Sequence, residues 1–143
     1  MHAIARKSRQ NMTAKRIGKI EKEIGAIIEP HEALTADALA SHGLDVIFLR
    51  PRNTYKTKTP DIFMAGLEWE IKSPTSSERT TVRNIVLKGA KQSHHVIIDT
   101  LRTNLGDDVI IEQLKQHIAH HRSIKKLVVV TKYREIIVLK GNL

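Results

Sequence analysis

One short stretch constrains the fold of this chain more than any other part of the sequence. Residues 62–64 and 67–72 are two runs rich in apolar and aromatic residues, and the pair Ala65-Gly66 separates them. A glycine-bearing pair between two such runs is typical of a tight β-hairpin. Ala65 is a poor residue for positive φ, and a three-residue loop would shift the register. A two-residue turn is nevertheless favoured because it produces one wholly apolar face, made of Ile62, Met64, Leu67, Trp69 and Ile71.

The same register gathers charged residues on the other face of the hairpin. It pairs Met64 with Leu67 and therefore places Asp61 opposite Glu70. Because side chains alternate between the two faces of a strand, Lys72 lies on the same side as both acids. We expect this face to look outward. Two carboxylates paired across strands are destabilising by roughly 0.2–1 kcal/mol unless something positive lies between them.

A divalent cation is the simplest positive group for that position. Mg²⁺ and Mn²⁺ prefer oxygen ligands and use one or two carboxylates with water and substrate phosphate, so Asp61, Glu70 and the Ile71 carbonyl are candidate ligands. Lys72 could then orient an attacking water or stabilise charge on a phosphate. The alternative is structural, with Asp61 capping the strand after Pro60 and Glu70 forming an exposed ion pair with Lys72.

Composition restricts the class of protein and its partners. The chain has 143 residues, enough for one domain with its own core, and it has no cysteine, which excludes thiolate zinc sites and cysteine nucleophiles. No apolar run approaches the about 20 residues of a membrane span, so we expect no membrane partner. Lys and Arg number 24 against 15 acids, a net charge of +9 that favours a polyanion or an acidic protein as partner. One Trp, two Tyr and two Phe are too few for extensive base stacking.

Two segments concentrate the positive charge. Residues 1–24 predict a basic N-terminal helix whose later half has an apolar stripe, and this helix could contact phosphates or simply present a solvated face. Residues 50–60 contain no acid and lead directly into Asp61. They predict a loop that grips a nucleic-acid backbone, with a polar connector as the alternative; its basic residues are Arg50, Arg52, Lys56 and Lys58.

The remaining sequence predicts an α/β fold, a mixed sheet with helices on both faces. Continuous apolar strands alternate with amphipathic helices, and no linker or repeat divides the chain. We expect one domain with an αβββαβαβ-like core over residues 30–131 and a final edge strand within 132–143. Asp107 is the predicted cap of the last helix. The predicted helices after the N-terminal one are 30–42, 80–93 and 108–120, and the strands outside the hairpin are 45–49, 96–99, 127–131 and 135–139.

These elements and motifs resemble a known family. A helix and a three-strand meander carrying Pro60-Asp61 and Glu70-Ile71-Lys72, followed by a helix and a strand, resemble the PD-(D/E)XK nucleases, which have a restriction-endonuclease-like core. From Glu32 to Asp99 the chain is similar to the C-terminal tRNA nuclease domain of contact-dependent growth inhibition (CdiA-type) toxins. The motifs that carry this similarity include Gly43-Leu44-Asp45-Val46, the sequence WEIKSP at 69–74, Gln92-Ser93 and Ile97-Ile98-Asp99.

The resemblance implies a toxin that cleaves tRNA in the cytoplasm of a target cell with Mg²⁺ or Mn²⁺, and Zn²⁺ is a further option. It also implies an immunity protein, which the positive charge predicts to be acidic. By position, Asp61 and Glu70 are metal ligands, Lys72 is the catalytic lysine and Glu32 is an additional acid. Glu32 fits helix-dipole stabilisation equally well. Further candidates for binding nucleic acid, which could also face water, are Ser73, Thr75, Thr80, Asn84, Lys88 and Gln92.

Three functions remain open from sequence: a tRNA nuclease, a DNA endonuclease of the same superfamily from a mobile element, and a noncatalytic basic module that binds nucleic acid. Histidines offer a rival chemistry, either zinc binding or general base catalysis. Those near the end of the last helix can equally be solvated groups that complement its dipole. The histidines concerned are His94, His95, His117, His120 and His121.

Overall fold

The computed structural model describes residues 16–52 and 58–143. These residues form three α-helices: α1 (Pro30–Ser41), α2 (Thr81–Gln92) and α3 (Asp107–Ile118). They also form seven strands: β1 (Ile20–Lys22), β2 (Val46–Phe48), β3 (Ile62–Met64), β4 (Leu67–Lys72), β5 (His95–Asp99), β6 (Lys126–Val130) and β7 (Ile136–Lys140).

The strands make one mixed sheet in which the spatial order follows the chain, from β1 to β7. The pairs β1–β2, β4–β5 and β5–β6 are parallel, while β2–β3, β3–β4 and β6–β7 are antiparallel. Each parallel pair is joined by a helix, as a crossover requires. The α/β class expected from the sequence is confirmed.

Helices cover both faces of the sheet. Helix α1 packs on one face, where Ala36 and Leu39 contact a cluster that includes Trp69. Helices α2 and α3 pack on the other face, where Ile85 and Leu114 belong to a second cluster. Strands β5 and β6 contribute alternate residues to the two clusters, which is why their sequences are continuously apolar.

The β3–β4 hairpin has the predicted register. Met64 pairs with Leu67 and Ile62 with Trp69. Ala65 has φ 52° and Gly66 has φ 78°. Positive φ at both central residues is the requirement of a type I′ turn, so Ala65 takes the unfavourable conformation that the register needs.

Two features of the fold differ from expectation. Residues 1–15 lie outside the described part of the chain, but Ile20–Lys22 form strand β1 and not the end of a basic helix. The parallel pairing of Ile20 with Val46 at the sheet edge overrides the local helical pattern. Asp107 is the first residue of α3 and Gly106 precedes it as the cap, because the Asp107 carboxylate instead accepts a 2.5 Å hydrogen bond from Thr100. Within the described ranges, no helix is both long and apolar enough to span a bilayer.

Candidate functional site

Glu70 is a fully buried acid without an ordinary hydrogen-bond partner. It lies in the middle of β4 with a relative exposure of 0%. Neither of its carboxylate oxygens accepts a hydrogen bond from any described residue. The sequence predicts that this face looks outward. That prediction is wrong for Glu70, because α2 packs near its part of the strand, although Phe63 on the same face is exposed. A buried carboxylate without donors is costly, so it calls for a ligand or another positive group.

Two lysines approach the same oxygen of Glu70. Lys72 Nζ lies 3.2 Å from Glu70 Oε2, and its side chain is 19% exposed. Lys58 Nζ lies 3.5 Å from the same atom but is 60% exposed. Lys72 therefore belongs to the site, while Lys58 reaches it from solvent and is free to turn towards a ligand.

Asp61 is held beside Glu70 by the backbone of the hairpin. The Asp61 N–H donates to the Trp69 carbonyl at 2.9 Å, and the Ile71 N–H donates to Asp61 Oδ2 at 2.7 Å. The Asp61 carboxylate is thereby fixed against the Glu70-Ile71 peptide. The acids and Lys72 meet at one place, as the hairpin register predicts.

Glu32 joins this group from α1, and it also has a structural role at the N-terminus of that helix. Its Oε1 accepts a 3.1 Å hydrogen bond from the Glu29 N–H in a capping box at the start of α1. Partial burial and the nearby charge of Asp61 raise the pKa of Glu32 to about 6. Glu32 is thus a helix-capping residue that also adds negative charge to the site.

The electrostatic balance at Glu70 is unfavourable to its ionised form. Burial and the charge of Asp61 raise the pKa of Glu70 to about 7, although Lys72 and Lys58 oppose the shift. The two lysines therefore do not compensate for desolvation and for the neighbouring acid. An additional cation at the carboxylates would relieve both costs.

The residues present fit a hard divalent cation bound mainly by substrate and water. In the described ranges no three His, Cys, Asp or Glu side chains form a metal-holding group. The candidate set needs only two side chains, Asp61 and Glu70, together with the Ile71 carbonyl. Mg²⁺ commonly keeps several waters and uses one or two carboxylates, and the Glu70 oxygens, which accept no hydrogen bond from the described residues, are suitable ligands.

The basic segment before Asp61 is only partly described, since Lys56 lies outside the described residues. Arg52 donates two hydrogen bonds to Glu68, at 2.6 and 2.8 Å, so its guanidinium is held by an acid. The Arg50 N–H donates to Glu23 at 2.9 Å. Both arginines and Lys58 are exposed beside the site, where a phosphate chain could reach them.

The remaining candidates for binding nucleic acid, which lie after β4 and along α2, line two cavities. A cavity of about 370 Å³, here called the Lys72 cavity, is lined by residues that include Ser73, Thr75, Thr80, Asn84 and Lys88. A second of about 600 Å³, here called the Glu68 cavity, is lined by residues that include Arg52, Lys58 and Gln92. The structure therefore separates Gln92 from the other helical candidates.

The histidines do not form a metal centre within residues 16–52 and 58–143. His94 Nδ1 lies 2.7 Å from the Ser123 carbonyl, and His95 Nδ1 lies 3.1 Å from the Glu68 carbonyl. The His95 ring also packs against Trp69, with centroids 5.6 Å apart. Both rings thus make structural contacts.

Arg102 is a supporting residue that the sequence does not reveal. It donates to the Ser73 hydroxyl at 3.1 Å and to the Ser73 carbonyl at 2.6 Å. Thr103 donates to the Ser76 carbonyl at 2.7 Å. The loop after β5 thereby fixes the loop after Lys72. No local pattern signals contacts between residues this far apart in the chain.

This arrangement defines a class: an α/β protein in which a buried carboxylate, two further acids and two lysines meet at a mixed sheet. A family model described as the contact-dependent growth inhibition CdiA C-terminal domain matches residues 58–136. The chain belongs to this family, whose members are the toxin domains of contact-dependent growth inhibition.

A solved structure has a similar fold. It is described as the CdiA-CT/CdiI toxin and immunity complex from Burkholderia pseudomallei. The similarity has a TM-score of 0.64 at 18% sequence identity and covers 87% of this chain and 100% of the other. At this identity the match shows the fold. No curated protein sequence matches the chain significantly.

Proposed function

We propose that this toxin domain is a metal-dependent nuclease of the PD-(D/E)XK type that hydrolyses phosphodiester bonds in tRNA. The observation that carries the proposal is the buried Glu70 carboxylate, which accepts no hydrogen bond from the described residues and lies beside Asp61 and Lys72. An acid buried at a cost to stability, next to a lysine and below a basic surface, is the arrangement expected of a phosphate-processing site.

Each residue of the site has a separate task in the proposed reaction. Asp61, Glu70 and the Ile71 carbonyl would hold Mg²⁺ or Mn²⁺, and the bound ion would supply Lewis-acid chemistry to the phosphate and to a water. The Lys72 ammonium, next to Glu70, orients the attacking water and stabilises charge that develops on the phosphate oxygens. Lys58 is exposed enough to leave Glu70 and pair with the substrate phosphate.

The choice of tRNA and of an acidic immunity partner rests on family membership and charge. CdiA-type sequence motifs at 69–74 and 90–99 support tRNA as the substrate. The similar solved structure is a toxin and immunity complex, which supports a cognate immunity protein for this chain. A net charge of +9 suits both an RNA substrate and an acidic inhibitor. The proposed site of action is the cytoplasm of the target cell.

Digestion of total tRNA and of plasmid DNA tests the proposal directly. We expect cleavage of tRNA with Mg²⁺ or Mn²⁺ and none with EDTA. Asp61→Ala and Lys72→Ala should each lower the rate by at least about a hundredfold, because each removes a group acting on the developing charge. Lys91→Ala, an exposed lysine on α2 outside the cavity linings, is the control.

The possible outcomes separate the candidate functions. Cleavage confined to plasmid would indicate the DNA endonuclease. No metal-dependent product from either substrate, with RNA binding retained, would indicate a noncatalytic module. Full activity of Asp61→Ala or Lys72→Ala would reject the site itself.

The basic segment should determine how strongly RNA binding depends on salt. Replacing Arg50, Arg52, Lys56 and Lys58 with glutamine is expected to flatten the slope of log affinity against log salt by about 3, since each phosphate contact contributes about 0.7–0.9. Fluorescence anisotropy between 50 and 300 mM KCl measures this slope. A control with equal charge loss replaces four exposed basic residues elsewhere, Lys91, Lys115, Arg122 and Lys125. If both variants flatten the slope equally, the segment has no specific role in binding.

A further inference from the structure

The two cavities lie towards opposite ends of β4, and residues of α2 line both of them. The Lys72 cavity is at the C-terminal end of β4 and the Glu68 cavity is towards its N-terminal end. Asn84 and Lys88 line the first and Gln92, one helical turn further on, lines the second, so α2 runs antiparallel to β4 across the cleft. Glu70 lies between the two ends of this cleft.

Close packing holds the helix in that position. Gly89 faces β5, and a Cβ at this residue would come within 3.2 Å of the Val96 side chain. An alanine at this position would require the Val96 side chain or α2 to shift by a few tenths of an ångström. This contact between α2 and β5 helps to fix the distance of the helix from the sheet.

The walls of the Lys72 cavity offer unused polar groups next to apolar ones. The Ser73 hydroxyl accepts a hydrogen bond from Arg102, and the Ser76 hydroxyl accepts one from Thr81. The side chains of Thr75, Thr80, Asn84 and Lys88 make no hydrogen bond or ion pair to any described residue and remain available to a ligand. Pro74 and Ile85 supply apolar surface in the same cavity.

The Glu68 cavity contains a second unsatisfied group. Gln92 Oε1 is buried and accepts no hydrogen bond from the residues that the structure describes. A buried amide oxygen without a donor favours a ligand that carries an N–H group. The exocyclic amino groups of nucleobases provide such donors.

We propose that this cleft takes an unpaired segment of RNA, with the scissile phosphate at Glu70 and one flanking nucleotide, its base unstacked, in each cavity. The inference rests on the proposed nuclease function and specifies its substrate class. Asn84 binds the base edge in the Lys72 cavity, Lys88 binds the adjacent phosphate and Gln92 binds the base in the Glu68 cavity.

Duplex RNA does not meet the requirements of these cavities. An A-form helix keeps its bases stacked inside and presents phosphates and 2′-hydroxyls to a protein. Gln92 Oε1, which is buried in the Glu68 cavity, can be reached only by a base that has left the stack. A segment that is already unpaired enters without the cost of unstacking, which is a few kcal/mol.

Binding to the cleavage-deficient Asp61→Asn variant in Ca²⁺ tests the inference independently of catalysis. Two fluorescent probes are compared by anisotropy: a mixed-sequence unpaired 12-mer RNA and the same strand annealed to its complement. We expect the unpaired strand to bind at least tenfold more tightly, because hydrogen bonds to two base edges together contribute about one order of magnitude or more. Equal or tighter binding of the duplex would overturn the inference.

Matched substitutions then place the strand in the cleft. Adding Lys88→Ala or Asn84→Ala should weaken binding of the unpaired probe about tenfold and leave duplex binding within twofold. Lys91→Ala, on the same helix but outside both cavities, should change neither. Equal effects of Lys88→Ala and Lys91→Ala would place the RNA elsewhere.

Kinetics on tRNA separate this inference from the proposed function. In the active protein, Lys88→Ala and Asn84→Ala should raise KM about tenfold and keep kcat within threefold, since neither residue touches the metal ligands. If tRNA is never cleaved but the binding preference holds, the nuclease assignment fails and the cleft remains a site for unpaired RNA. If cleavage is metal-dependent but the unpaired and duplex probes bind equally, the nuclease assignment holds and the inference about unpaired RNA fails.

Discussion

Without metal, the Glu70→Gln variant should have a higher free energy of unfolding than the wild type. The variant should also fail to cleave RNA. Glu70 is fully buried, its oxygens accept no hydrogen bond from the described residues, and Asp61 adds like charge. Glutamine keeps the shape of the side chain and removes the charge. Catalysis is lost because glutamine cannot supply the anionic ligand that the proposed metal needs.

The direction of the stability change follows from the pKa of Glu70. A carboxyl whose pKa rises to about 7 on folding, from an ordinary value of about 4.3, binds its proton more tightly in the folded protein. Its ionised form therefore destabilises the fold, increasingly as pH rises from about 4.3 through 7. At pH 8 we expect the variant to gain about 1–2 kcal/mol, less than the full shift implies because Lys72 loses its partner.

Urea unfolding in EDTA at pH 8 measures this gain. Glu68→Gln is the matched control, because Glu68 lies on the same face of the same strand but is more than one third exposed and paired with Arg52. Glu68→Gln should lower the free energy of unfolding by no more than about 1 kcal/mol, because it removes only an exposed ion pair. If Glu70→Gln destabilises the protein as Glu68→Gln does, the buried carboxylate is not strained in the absence of a cation.

Arg134→Met should be among the most destabilising substitutions outside the site. Arg134 donates to both oxygens of Asp99, at 3.0 and 2.8 Å, and the Asp99 side chain is only 2% exposed. Thr35 on α1 donates to the same carboxylate at 2.5 Å. The methionine variant leaves a charge in the core without its main partner, at an expected cost of about 3–5 kcal/mol.

A pH series distinguishes this charge effect from lost packing. Burial raises the pKa of Asp99, but hydrogen bonds from Arg134, Thr35 and the Leu101 N–H outweigh it and hold the pKa below its ordinary value. Stability from a lowered carboxyl pKa is present above the unfolded value of about 3.9 and is lost as pH falls through the folded value. Arg134→Met should therefore cost much less at pH 3 than at pH 7.

A double substitution completes the test of the ion pair. Asp99→Asn combined with Arg134→Met should be less destabilising than the sum of the single changes, since the second removes the charge that the first leaves unpaired. Circular dichroism during urea unfolding gives the three free energies. Strict additivity would mean that the pair contributes only packing.

The hairpin shows how far local sequence could predict this protein. Turn length and the apolar alternation between Ile62 and Ile71 fix the register, and the register brings Asp61 opposite Glu70. The burial of Glu70 could not be predicted in this way, because an alternating strand pattern shows only which residues share a face. Whether a helix covers that face depends on residues 81–92, which pack there through long-range contacts.

The amino-terminal and loop residues mark the limit of such inference. Helical spacing in residues 17–24 predicts a helix, yet Ile20–Lys22 pair with β2 as a strand. Arg102 and Arg134 carry no local signal at all, since each acts on a partner at least 29 residues away. Secondary-structure propensity depends on residues that are close in sequence, and tertiary contacts can override it.

The sequence by itself determined the α/β class, the hairpin register and the grouping of Asp61, Glu70 and Lys72, because periodicity and turn chemistry act over a few residues. Only the tertiary structure decided that Glu70 is buried, that Lys58 and Lys72 meet at one of its oxygens and that two cavities flank it. These features arise where α2 and the loop after β5 pack against the sheet, and burial and charge balance depend on every element that contacts a residue.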